Sequence, residues 1–155
     1  MADSTVRHIV VGFDGSESSA HALGWGLQLG ASLGADVAVV SAWRREATYD
    51  AASLSATFLS DSDLADVAMG GIDEALARFG DLVGAITAGG HEVITRVSEG
   101  EAEDVLMAAA AEADLLVVGR RGHQGFSTRL LGSTSRHLAD HAPCAVVVVP
   151  EQVDR

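Results

Sequence analysis

Gly119, Gly122 and Gly132 fall in one stretch that closes on three hydroxyl residues, Ser133, Thr134 and Ser135. Glycines let the backbone come close to a phosphate, hydroxyls at a helix start offer donors, and the unpaired N–H groups of a first helical turn favour an anion. Arg120, Arg121, Arg129 and Arg136 put four of the ten basic residues in the same region, and no carboxylate interrupts it between Asp114 and Asp140. Each charge-assisted hydrogen bond to a phosphate is worth about 1.5–3 kcal/mol. The chemistry these residues suit is anion binding. The plainer reading is a glycine-rich turn in which Ser133 only caps a helix, and placement in the fold has to decide between the two.

A second candidate is Asp14, in the turn Asp14-Gly15-Ser16 that ends the apolar run Ile9 to Phe13. Its carboxylate can cap a helix, accept from a ligand hydroxyl, or do both. Other chemistry finds less support. A Walker-type phosphate loop needs a lysine, and the chain has none. Ser133, His137 and His141 share one helix, so no Ser-His-Asp arrangement with local context is visible. His137 and His141 stand four apart without a third ligand, which reads as a polar helix face, and His123 reads as a loop residue near the phosphate or in solvent.

The elements that must position these residues follow from periodicity. His8–Phe13, Asp36–Trp43, Asp114–Val118 and Ala145–Val149 are short apolar runs, as expected of buried strands, and in a further strand Val93, Thr95 and Val97 alternate with Ile94 and Arg96. Between them, apolar residues recur at helical spacing from Ser18 to Ala31, from Leu64 to Ile86 as one long helix weakened at Gly70-Gly71, from Ala102 to Ala109, and from Ser133 to His141. Arg44 to Ser62 has no clean period and reads as an irregular cover loop. Alternating strands and helices predict an α/β domain with an open, doubly wound, five-stranded parallel sheet of order 3-2-1-4-5 and helices on both faces. In that order ligands bind where the sheet reverses, beyond the carboxyl ends of strands one and four. Both candidate loops lie there, which favours the phosphate reading.

With 155 residues, 48% hydrophobic and 21% charged, the chain has the size and composition of one globular domain over 1–155. A net charge of −12 opposes nucleic-acid binding, though it leaves a local cationic site intact because screening acts beyond about 8 Å. No apolar run approaches the length of a membrane span and no leader is visible, so a cytoplasmic protein is expected. The lone Cys144, beside an apolar strand, reads as an inert buried thiol.

The spacing Gly119-x2-Gly122-x9-Gly132-Ser133 resembles the nucleotide-binding signature of the ATP-binding universal stress proteins. The opening Ile9-Val10-Val11-Gly12-Phe13-Asp14-Gly15-Ser16 and the closing Ala142 to Pro150 are similar too, so the resemblance covers nearly the whole chain. It implies an adenine nucleotide alpha hydrolase-like fold and ATP as ligand. Gly12, Asp14 and Ala42 would then sit by the adenosine, and Val118 and Gly119 would follow the ribose and first phosphate. Gly122, Gly132, Ser133 and Thr134 would hold the phosphates with Ser135 nearby, and the hydroxyls could ligate Mg2+ through them. Arg120 departs from the small residue common at its position. The resemblance further implies a homodimer paired through the fifth strands and a regulator, not a fast enzyme, that engages an unidentified protein partner. A slow ATPase or autophosphorylating protein and a sensor of AMP or cyclic AMP are the competing functions. A flavin-type module with a similar sheet lacks room for its second domain in so short a chain.

Overall fold

The computed structural model describes residues 5–44, 59–121 and 130–151. Five strands, β1 (His8–Gly12), β2 (Asp36–Trp43), β3 (Val93–Glu99), β4 (Leu115–Gly119) and β5 (Ala145–Val149), form one sheet. Every neighbouring pair is parallel and the order is β3-β2-β1-β4-β5, as predicted. The helices are α1 (Glu17–Leu33), α2 (Asp61–Ala77), α3 (Gly80–Ala88), α4 (Ala102–Ala110) and α5 (Ser133–His141).

Successive side chains of a strand point to opposite faces, so a strand buried on both faces must be apolar at every position. β4 obeys this throughout and β1 from Ile9 onward. Ile9, Val11, Leu115 and Val117 enter one core with Leu23 and Leu27 of α1, Ile72 of α2 and Ile86 of α3. Val10, Leu116 and Val118 enter a second core with Leu106 of α4 and Leu138 of α5. Two helix layers thus clamp the sheet, and the strand ends, where no side chain needs burying, are left to build loops. Cys144 packs at the second core, and burial pushes its thiol above the ordinary value, with Asp114 adding to the shift.

One expectation is corrected. The long second helix is two helices, and the break falls at Arg78-Phe79, not at Gly70-Gly71. Arg78 and Phe79 donate to Ala75 and Leu76 three residues back, which tightens the turn and ends α2. Phe79 takes a non-helical φ of −115° and places its ring against Gly24 of α1, so tertiary packing overrides local propensity. Most of the predicted cover loop, residues 45–58, lies outside the described residues.

At the opposite end of the sheet from the candidate loops, Asp114 ties β4 to β1. Its Oδ2 accepts the N–H groups of Arg7 at 2.9 Å and His8 at 3.0 Å. These two bonds hold the Asp114 carboxyl below the ordinary carboxylate value, and the charges of His8 and Arg7 act in the same direction. A depressed carboxylate stabilises the fold above its unfolded-state pKa, and that contribution is lost as pH falls through the folded-state value. Asp114→Asn should therefore be less stable than the parent at neutral pH. The gap should persist down to about pH 4 and shrink below it as the parent takes up the proton. Urea midpoints across that range measure it, and a gap that stays constant into the acid limb would show that the ionised form contributes nothing.

Candidate functional site

The turn after β1 is built by local bonds. Gly15 takes φ 82°, a left-handed conformation that a side chain would strain. The Asp14 Oδ1 accepts the Ser16 N–H at 2.9 Å. Ser16, not Asp14, is the N-cap of α1, its Oγ accepting from the Ser19 N–H at 3.1 Å. Asp14 therefore supports the cap instead of forming it, and its exposed side chain lines a cavity beside the turn.

That cavity holds about 330 Å³, within the range of about 300–1,000 Å³ common for small-molecule sites. It opens at the carboxyl ends of β1, β2 and β4, where the sheet reverses direction. Gly12 and Asp14 come from β1 and its turn, Ala42 from β2, Val118 and Gly119 from β4, and Gly132, Ser133, Thr134 and Ser135 from the start of α5. Nine of the ten residues singled out in the sequence thus line one cavity, and the tenth, Gly122, lies outside the described residues with His123 and Arg129.

The two ends of the cavity differ in chemistry. On the β2 side Val40, Ala42, Ala102 and Leu106 make an apolar wall, and Arg44, one residue past β2, is also in the lining. At the β4 end the donors gather. Gly132 caps α5 with φ −60° and ψ 159° and has no side chain to occupy the N–H groups of the first turn. Ser133 is exposed and Thr134 half-buried, and both line the cavity, whereas Ser135 is 5% exposed. The Ser135 Oγ donates to the Gly119 carbonyl at 2.6 Å, so this hydroxyl braces the wall between α5 and β4.

Sequence reasoning missed six lining residues, Phe13, Ser19, Val40, Arg44, Ala102 and Leu106, and left open which arginine of the 119–136 region lines the cavity. Ala102 and Leu106 carried a signal, an i, i+4 pair on the helix after β3, but only the fold shows that this helix roofs the β2 end. Arg121 was one of four arginines in its region, and its place in the wall comes from its backbone N–H, which donates to the Ser18 Oγ at 3.4 Å. His137 and His141 stack at 4.6 Å between ring centroids. Among the described residues, no three or more His, Cys, Asp or Glu side chains gather as metal ligands, and no helix is long and apolar enough to cross a membrane.

Comparison with known proteins agrees with this architecture. Residues 5–150 match the universal stress protein family. A universal stress protein of Mycobacterium tuberculosis is 28% identical over 153 residues, which cover 99% of this chain and 52% of that protein. The chain thus spans about half the length of the curated relatives it first matches. Among solved structures, a universal stress protein in complex with cAMP aligns with TM-score 0.66 and 27% identity over 96% of this chain and 99% of that one. UspA from Lactobacillus plantarum aligns with TM-score 0.68 and 21% identity, covering 93% and 97%. With that match spanning both glycine-rich loops and all five strands, the chain belongs to the universal stress protein family.

Proposed function

We propose that the protein binds an adenine nucleotide, ATP foremost, in the cavity at the β1/β4 reversal, and acts as a nucleotide-gated regulator in a stress response. The observation that carries this reading is the polarity of the cavity: an apolar slot at one end and a cradle of hydroxyls and uncapped N–H groups at the other. A nucleotide has the same two-ended chemistry. The donor set fits a triphosphate, since Ser133, Thr134 and the α5 backbone supply donors and Arg121 supplies charge. Mg2+ bound to the phosphates would supply charge neutralisation, with the Ser133 and Thr134 hydroxyls as its protein-side partners.

A regulator fits better than a fast phosphoryl-transfer enzyme because the chain holds no lysine to act on a transferring phosphoryl group. Any turnover would be slow. The second reading, a sensor of AMP or cyclic AMP, is favoured by the structural relative solved with cAMP. The reading also includes a cytoplasmic location, where the nucleotide pool is, and a protein partner that responds to the bound state.

A homodimer is part of the proposal. β5 is the sheet edge beyond β4, and its run of valines is half-buried at 146–148, so a two-fold pairing of these edges would remove an aggregation-prone surface. Sedimentation should give a dimer. Val147→Lys, which sets like charges near each other at the middle of the paired strands, should shift it to monomer. A parent that sediments as a monomer at working concentration would refute the pairing.

Calorimetry with ATP and Mg2+ tests the ligand. Saturable binding is expected, weakened about tenfold in Ser133→Ala by loss of one phosphate bond, and abolished in Gly132→Val, whose side chain enters the cradle. Gly132 has an extended backbone that Val adopts readily, so the variant should fold. A titration series with AMP and cyclic AMP separates the two readings, and the absence of any binding by the folded parent would sink both.

A further inference from the structure

Among the described residues two arginines, Arg44 and Arg121, line the cavity. Arg44 follows β2 and pairs with Glu101 at the apolar end, with both side chains more than half exposed. Arg121 follows β4 at the hydroxyl end, and its side chain is only 14% exposed. Its Nη2 donates to the Oε2 of Glu151 at 2.6 Å. Glu151 stands two residues beyond the end of β5, and its side chain is 45% exposed. The backbone fixes this meeting, because the Arg120 N–H donates to the Val149 carbonyl and the Gly132 N–H to the Arg120 carbonyl, both at 2.9 Å. The guanidinium is therefore held by Glu151 beside the carboxyl end of the edge strand.

We propose that Arg121 selects phosphorylated adenine nucleotides over the bare nucleoside, and that Glu151 is a built-in competitor that sets how strongly it does so. The proposal rests on the adenine-nucleotide reading and deepens it. A carboxylate and a phosphate offer a guanidinium the same acceptor geometry. A largely buried cation needs an anionic partner, and Glu151 provides one in this structure. Arg121 shares the cavity lining with Ser133 and Thr134, so a nucleotide phosphate bound there competes for the same fork. Arg121 need not leave the wall to change partners, while Glu151, nearly half exposed, returns to water at small cost. An adenosine without phosphate fills the apolar slot and leaves the pair intact. Phosphate occupancy is thereby converted into release of the segment after β5, and ring occupancy is not.

The test is a double-mutant cycle on the full chain, reading dissociation constants for ATP with Mg2+ and for adenosine by calorimetry in the parent, Glu151→Gln, Arg121→Gln and the double variant. Glu151→Gln should improve the preference for ATP over adenosine by about threefold to tenfold, because a competing charge is removed. Arg121→Gln should reduce that preference by about tenfold or more, and in its background Glu151→Gln should change it by less than about twofold. Arg121→Lys, which keeps the charge but loses the fork, should fall between the parent and Arg121→Gln and guards against a packing defect. An unchanged preference in Glu151→Gln, or the same gain with and without Arg121, would overturn the proposal, the second because it would show general charge repulsion. Those outcomes leave nucleotide binding standing. A parent that binds neither ATP nor adenosine would instead remove the nucleotide reading and this one with it.

Discussion

A β-carbon on Gly119 would lie 2.5 Å from the Ser18 Oγ and 2.8 Å from the Ser18 carbonyl carbon and oxygen, closer than real contacts allow. The carboxyl end of β4 therefore meets the first turn of α1 backbone to backbone, and most of the cavity depends on that approach. It brings the Ser18 Oγ within reach of the Arg121 N–H and so fixes where the loop leaves the sheet. It also sets the Gly119 carbonyl where the Ser135 hydroxyl can reach it, which seats the start of α5 against β4. A bulkier residue at 119 would push α1 away, and the turn bearing Asp14 would move with it. The glycine is read as a phosphate contact in the sequence, and in the structure it is first a packing requirement.

The sheet was legible in the sequence because its constraint is local and repeated. Strands that must be apolar on both faces show as unbroken runs, and the helices between them dictate parallel crossovers and hence the reversal at β1 and β4. The nine described cavity residues were legible for the same reason, being loop and helix-start residues attached directly to those strands. What escaped depends on distant parts of the chain. Phe79 ends a helix because Gly24 of α1 leaves room for its ring, which no window around residue 79 reveals. Leu106 roofs the cavity only because α4 packs across β2, and Arg121 belongs to the wall only because Ser18 and Glu151 hold it. Ser16 outcompetes Asp14 as the cap because the turn at Gly15 carries the chain one step further before the helix begins.

The acidity of the chain sharpens the meaning of its cavity. A net charge of −12 surrounds a site whose lining, among the described residues, carries two arginines, Arg44 and Arg121, against one carboxylate, Asp14. Screening confines the surrounding charge to short range, so the inner site answers to its own lining. Glu101 and Glu151 stand beside the two arginines, one at each end. Among the described residues, both cavity arginines thus have a carboxylate partner within the protein.

A ligand can shift a conformational equilibrium only through contacts that differ between the two states. The β2 end of the cavity is made of small apolar side chains packed on the second core, and that core is continuous with the sheet and resists deformation. The β4 end is different, since the residues around it are joined to β5 by the Arg120–Val149 bond and the Arg121–Glu151 pair, both close to the end of an edge strand. A bound group at the first end meets a surface with one packing, whereas an anion at the second meets a charge pair with two possible partnerships. Under the proposed reading, a signal from this cavity to the sheet edge would enter through the polar end, and the apolar wall would hold the ligand in register.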